Sequence, residues 1–181
     1  TLLTYHILKH AGLDVGLAGN VGQSLAAQVA KQAHQVYVVE LSSFQLTNMT
    51  QSPHVAVVTN VAPNHLDWHT DMQEYIDAKR NLIAHQCEND RAVLNLDNAT
   101  TREFVDDCLA PVWQFSRKEK VARGCWLDEN NNIMVSEDGV DTVVMNVADI
   151  RIPGVHNIEN YMAAISAVWG ITKPEAIRGF A

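Results

Sequence analysis

The sequence predicts an α/β fold: a mostly parallel sheet flanked by helices, with a small antiparallel meander on its edge. Three observations carry this. Apolar runs at 36–39, 54–59, 91–96 and 112–115 alternate with stretches of helical periodicity, the pattern of βαβ units. VYVV (36–39) and HVAVVT (54–59) are nearly continuous apolar runs, as strands covered on both faces are. Between 121 and 148 the runs are short and alternating, with Asn-Asn and Asp-Gly between them, which signals an antiparallel hairpin or meander.

The elements follow in order. TLLTYHILKHAG opens in helical rhythm, with Leu3, Ile7 and Ala11 on one stripe and Gly12 as the C-cap. DVGLAGN reads as a strand running into the glycine loop Gly19-Asn20-Val21-Gly22. Residues 24–34 are helical in pattern, and the strand 36–39 follows. Residues 72–85 form a strong helix, with Met72, Tyr75, Ile76, Leu82 and Ile83 on one face and Asp71, Glu74, Asp77 and Asn81 on the other. A third buried strand spans 91–96, a helix 99–109 and a strand 112–115. After Pro153-Gly154 a helix begins whose stripe is Ile158, Tyr161, Met162, Ile165, Val168 and Trp169, and KPEAIRGFA closes the chain as a short helix.

A length of 181 residues favours one domain. The formal charge of -8 argues against a nucleic-acid or anionic-membrane partner, while leaving room for a small anionic ligand held by amides and a metal. The three cysteines (Cys87, Cys108, Cys125) form no CxxC pair and read as reduced thiols of a cytoplasmic protein. No apolar run approaches the ~20 residues of a membrane span, and no signal peptide is evident. The first helix has no capping residue before it, so the chain is expected to be cut from something longer.

Open α/β sheets bind ligands outside the carboxyl ends of their strands. Here those ends carry Glu40, then Ser42 and Ser43; Asn60, running into NVAPNHLDWH; and Asn95 with Asp97. Glu40 reads as a site carboxylate or as a solvated strand end, and Ser42 and Ser43 as ligands or turn-formers. His65, Asp67 and His69 have the close spacing of metal ligands, and equally that of a helix start capped by Asp67. Lys79 falls in the middle of the apolar face of helix 72–85. There it must snorkel, pair or lose its charge. A neutral lysine amine is a nucleophile that, near a metal, can capture carbon dioxide as an anionic carbamate. Asn157 and Asn160, three apart at a helix start, match the donor and acceptor edge of a purine, or simply cap the helix.

In order and spacing, GNVG, ELSSFQL, TNVAPNHLDWH, YIDAKRNLI, LNLDN and GVHNIENYMAAI together resemble the central domain of the Mur ligases, the ATP-dependent amide ligases of peptidoglycan synthesis. ELSSFQL is similar to the branch that adds D-glutamate to UDP-N-acetylmuramoyl-L-alanine. The resemblance covers nearly the whole chain. It implies a P-loop/Rossmann-like central domain spanning 1–181, without the family's phosphate loop and the strand leading into it, and without the N-terminal uridine-binding and C-terminal domains. It also implies a cytoplasmic monomer whose substrates are UDP-N-acetylmuramoyl-L-alanine and D-glutamate, with ATP and two Mg2+ ions. Glu40 and His65 are implied as magnesium ligands, and Lys79 as a carbamylated lysine that helps hold the second ion. Asn157 and Asn160 are implied as adenine contacts, and Asn20 and Ser42 as residues facing the UDP-muramoyl substrate.

Two positions depart from the family pattern. Asn64 stands where an aspartate commonly precedes the metal histidine, which weakens the support expected for His65. Asn98 stands where a second acid commonly follows Asp97, and no role is carried onto Asp97. The rival readings are another Mur-type ligase, a metal-dependent hydrolase built on His65, Asp67 and His69 with Glu40, and a non-catalytic nucleotide-binding module. The fragment alone is expected to be inactive.

Overall fold

The computed structural model describes residues 1–62 and 69–180. The helices are α1 (Leu2–His10), α2 (Leu25–Lys31), α3 (Ser43–Leu46), α4 (Met72–Ala84), α5 (Ala99–Glu103), α6 (Val155–Val168) and α7 (Pro174–Phe180). The strands are β1 (Val15–Gly19), β2 (Val36–Glu40), β3 (Val55–Val58), β4 (Arg91–Asn95), β5 (Val112–Ser116), β6 (Gly124–Leu127), β7 (Asn132–Glu137) and β8 (Val140–Asn146). Strands β3 to β6 are parallel neighbours in sequence order, and β6, β7 and β8 continue the sheet as an antiparallel meander. The meander turns where the sequence places it. Asp138 and Gly139 both take positive φ between the paired residues Glu137 and Val140, the two-residue turn that matches strand twist.

Alternation along the strands separates two cores. Val93 of β4 packs with Trp113, Phe115 and Ile133 beneath α1, α6 and α7. Its neighbours Ala92 and Leu94 face the other way, toward Tyr75 and Ile83 of α4 and Phe104. The sheet is therefore sandwiched between two helical layers, and each layer carries a part of the site described below. In α6 the predicted stripe is buried at Tyr161, Met162, Ile165 and Val168. Ala163, Ala164, Ser166 and Ala167 are buried as well, because α1 covers the side that the sheet does not. Among the described residues no helix is long and apolar enough to cross a membrane.

The structure corrects several expectations. Strand 36–39 is half-buried rather than covered on both faces. Among the described residues β2 pairs with β1 alone, in a separate two-stranded parallel sheet, and α2 contributes no buried residue above it. Helix α2 is shorter than 24–34. The predicted helix 99–109 is α5 followed by a 3-10 turn, Phe104–Asp107. Trp169 lies one residue past α6 as its C-cap. Asn81, assigned to the solvent side of α4, instead donates to the carbonyls of Leu46 and Thr47 at 3.1 Å each, because α3 packs over that face.

Candidate active site

The site begins where β1 and β2 end together, with Gly19 opposite Glu40 in the register. A Cβ at Gly19 would lie 2.0 Å from the Glu40 carbonyl oxygen, and φ there is +97°, so only glycine fits this close approach. The next residue, Asn20, donates its backbone N–H to that same carbonyl at 2.9 Å. The GN pair of the sequence is thus fastened directly beside the half-buried Glu40. Ser42 opens α3, and its N–H and hydroxyl both donate to Gln45 Oε1, at 2.8 and 2.9 Å. These bonds hold the turn after Glu40 in one conformation.

Lys79 reaches this place from α4. Its ammonium sits 5.7 Å from the centre of the Tyr75 ring, on the apolar face where the helical pattern puts it. Burial pushes its pKa down from the usual lysine value, and the carboxylate of Glu40 opposes that shift. Desolvation is the larger effect, so the neutral amine is favoured more than in water. The backbone nitrogen of Thr1, at the start of α1, lies within electrostatic reach of the same carboxylate. The start of α1, Glu40 and Lys79 therefore converge at the carboxyl end of β2.

A second group of residues lines the ends of β3, β4 and β5. Asn95 donates to the Thr59 carbonyl at 2.8 Å, and Asn98 donates to Asn60 Oδ1 and the Val61 carbonyl while capping α5 through Thr101 N–H. Asp97 accepts from the Ser116 hydroxyl at 2.6 Å and from the Arg117 N–H at 2.8 Å. Arg117 in turn donates to Glu159 at 2.7 Å. Glu159 lies on α6 between Asn157 and Asn160. The Asn157 amide donates to the Pro153 carbonyl and accepts from Asn160, so the two side chains are oriented as a pair at an open surface.

The structure thus brings Glu40, Lys79, Asn20 and Ser42 into one neighbourhood, and ties Asn157 and Asn160 to the strand ends through Arg117 and Glu159. His65, Asn64 and Asp67 lie outside the described residues. His69 is described: Nε2 lies 2.9 Å from Ser43 Oγ, and the side chain is sealed from solvent. Among the described residues no three His, Cys, Asp or Glu side chains gather to hold a metal. Sequence reasoning missed the structural roles of Asp97 and Asn98. The LNLDN stretch signalled a strand end and nothing in it marked which neighbour each side chain would reach. It also missed the pairing of Ser43 with His69, which no local spacing reveals.

A mostly parallel α/β sheet with polar residues gathered at its carboxyl ends defines an open α/β domain of the class that holds its ligands at those strand ends. Residues 1–168 match the family model of the Mur ligase middle domain, and the chain belongs to that family. It is similar to the UDP-N-acetylmuramoylalanine–D-glutamate ligase of Acetivibrio thermocellus, with 46 % identity over 98 % of this chain and 38 % of that protein. The ligase of the same name from Clostridium kluyveri is 41 % identical over 100 % of this chain and 39 % of its own length. This chain therefore spans less than half the length of these curated relatives. Among solved structures, a UDP-N-acetylmuramoyl-L-alanyl-D-glutamate–2,6-diaminopimelate ligase superposes with a TM-score of 0.75 at 19 % identity, over 99 % of this chain and 42 % of that one. A pseudomurein peptide ligase type C from Methanothermus fervidus superposes with a TM-score of 0.68 at 18 % identity, over 98 % and 45 %. At those identities the likeness is one of fold.

Proposed function

We propose that this chain is the central, nucleotide-holding domain of an ATP-dependent ligase that joins D-glutamate to UDP-N-acetylmuramoyl-L-alanine in peptidoglycan synthesis. The observation that carries the reading is the convergence of Glu40, Lys79 and the start of α1 at one strand end, in a chain whose D-glutamate-adding relatives reach 46 % identity. In the reaction, the terminal carboxylate of the muramoyl substrate attacks the γ-phosphate of ATP, giving an acyl phosphate and ADP. The amine of D-glutamate then attacks the acyl carbon, and phosphate leaves. The remaining parts, a phosphate loop before α1 and two flanking domains, belong to the same proposal, as does action in the cytoplasm as a monomer.

The donor set fits magnesium. Mg2+ takes oxygen ligands and is usually held by one or two carboxylates plus substrate phosphates. Glu40 supplies one carboxylate. Lys79 supplies another once its neutral amine adds to carbon dioxide and releases a proton, leaving a carbamate, and the lowered pKa favours that addition. His65 completes the proposed set. Bound magnesium would neutralise the charge that builds on the transferring phosphoryl group. Glu40 and the carbamate position and hold, and neither needs to move a proton. The oriented amides of Asn157 and Asn160 meet the adenine edge, and Asn20 and Ser42, flanking Glu40, face the muramoyl substrate.

The test is phosphate release from Mg-ATP by the full-length protein with UDP-N-acetylmuramoyl-L-alanine, with D-glutamate present, absent, or replaced by other amino acids. Release that depends on D-glutamate is expected. Release with L-lysine, meso-diaminopimelate or L-alanine instead would move the protein to a sister ligase, and no ATP-dependent release would overturn the ligase reading.

A further inference from the structure

Ser43 and His69 form a buried polar pair that the proposed chemistry does not use. Ser43 is 2 % exposed and His69 3 %, and Nε2 lies 2.9 Å from Oγ. Among the described residues His69 Nδ1 has no hydrogen-bond partner, and Glu74 Oε1 stands 4.0 Å away. Glu74 is itself fixed, accepting from the N–H and the hydroxyl of Thr70 at 2.6 and 2.7 Å. A lone pair on Nδ1 would face that carboxylate and be repelled, whereas an N–H there is attracted. The proton therefore belongs on Nδ1, and Nε2 accepts the Ser43 hydroxyl.

The two ends of this contact lie on the two halves of the site. Ser43 follows Ser42 directly and Glu40 by three residues. His69 packs edge-on against Tyr75, with ring centres 5.4 Å apart, and the same Tyr75 ring lies beneath the Lys79 ammonium. The far end of α3 is already tied to α4 by Asn81. The pair thus adds a second tie at the end nearest Glu40, where it sets spacing rather than merely docking one helix on another.

We propose that His69 is a positioning residue: by holding Ser43, it fixes the turn bearing Glu40 and Ser42 at a set distance from Lys79 on α4. This rests on the reading of Glu40 and Lys79 as metal-holding groups. A buried pair of this kind acts as outer-shell support does in metal sites, where loss of the partner weakens metal affinity by about 10–100-fold.

The experiment uses the full-length protein and Mn2+ as the probe, with binding followed by electron paramagnetic resonance in the absence of turnover. The half-saturating Mg2+ for phosphate release and the Tm are measured alongside. His69→Ala and Ser43→Ala are each expected to raise the Mn2+ Kd about tenfold, the low end of that range. The double variant should be no worse than the poorer single, because both remove one interaction. His69→Gln, whose amide reaches the position of Nε2, should recover part of the loss, and half-saturating ATP should stay near the wild-type value. Ser43→Ala deletes one oxygen and guards against a failure of His69→Ala to fold. A fall in Tm with unchanged Mn2+ affinity would make the pair purely structural and overturn the proposal, as would additive effects in the double variant. Absence of Mn2+ binding in the wild-type protein would remove the metal reading itself, and this proposal with it.

Discussion

Arg91 opens β4, and its guanidinium closes the far end of α6. It donates to the Ser166 carbonyl at 2.9 Å and the Trp169 carbonyl at 2.8 Å, and it stacks 4.2 Å from the centre of the Trp113 ring. The last carbonyls of a helix have no partner within the helix, and a cation is favoured there. Trp169 adds a bond from its indole N–H to Glu137, so β4, β5, β7 and α6 meet at this point. Arg91→Met keeps the stem and removes the fork. Two hydrogen bonds from a charged donor contribute about 1.5–3 kcal/mol each, and the ring contact about 0.5–2 kcal/mol. Allowing for water reaching the freed carbonyls, the loss should be about 3–4 kcal/mol. For a chain of this size, 1 kcal/mol corresponds to about 2–4 °C in Tm, so the expected drop is roughly 6–16 °C. Arg91→Lys keeps the charge but loses the planar fork and the stacking, and should fall about halfway. Thermal and urea unfolding followed by circular dichroism measure both. A loss below about 1 kcal/mol for Arg91→Met would mean that the two carbonyls do not depend on this side chain, and would refute the account.

Lys79→Ala in the full-length protein should cut phosphate release by orders of magnitude while leaving the Tm within a few degrees, since a half-buried lysine contributes little net stability; added formate or acetate should restore part of the rate, and normal turnover would exclude the carbamate role. Asn160→Ala should raise half-saturating ATP about tenfold with little change in kcat, because an amide that only orients a base acts on binding; an unchanged ATP dependence would put adenine elsewhere. Burial pushes the Cys125 thiol up to about 12 and the Cys108 thiol up to about 11, while Cys87 is exposed. At pH 8 a thiol reagent should therefore label Cys87 rapidly and Cys125 only after denaturant is added; rapid labelling of Cys125 in the native protein would contradict its burial.

The layering was legible because periodicity reports it directly. The apolar runs of β3, β4 and β5, and the Asp138-Gly139 turn, required no tertiary knowledge. Lys79 was legible for a related reason: a charge centred on an apolar stripe is a local conflict that only a neighbour can resolve, and the structure supplies Tyr75 and Glu40. What periodicity could not supply was the choice of neighbour. Asn81 sits on the polar side of α4 by helical geometry, yet α3 covers it. His69 and Ser43 are 26 residues apart and meet only because α3 folds onto α4. Asn98 looked like a departure from an acidic pattern, and its amide proves able to donate to Asn60 and Val61, which a carboxylate could not do.

The half-buried state of β2 leads to a last prediction. Val36 and Val38 of β2 and Val55 and Val57 of β3 pack against one and the same core cluster, yet the described strands fall into two sheets, with β2 at the edge of one and β3 at the edge of the other. Two valine-rich edges, whose one carboxylate, Glu40, stands at the end of β2, are prone to pair with other chains. A further parallel strand laid between them would satisfy both ladders at once, and residues placed ahead of Thr1, whose backbone nitrogen lies within reach of the Glu40 charge, would set out from the correct end. Extending the chain at its N-terminus by one strand and a loop should therefore slow amide hydrogen exchange in Val36–Val39 and Val55–Val58, raise the Tm, and suppress association at high concentration. Exchange in α7 and β8, remote from the opening, should change only through global stability. Equal exchange of β2 and β3 in the short and extended chains would show that nothing inserts between them, and the central-domain architecture proposed here would have to be redrawn with two separate sheets.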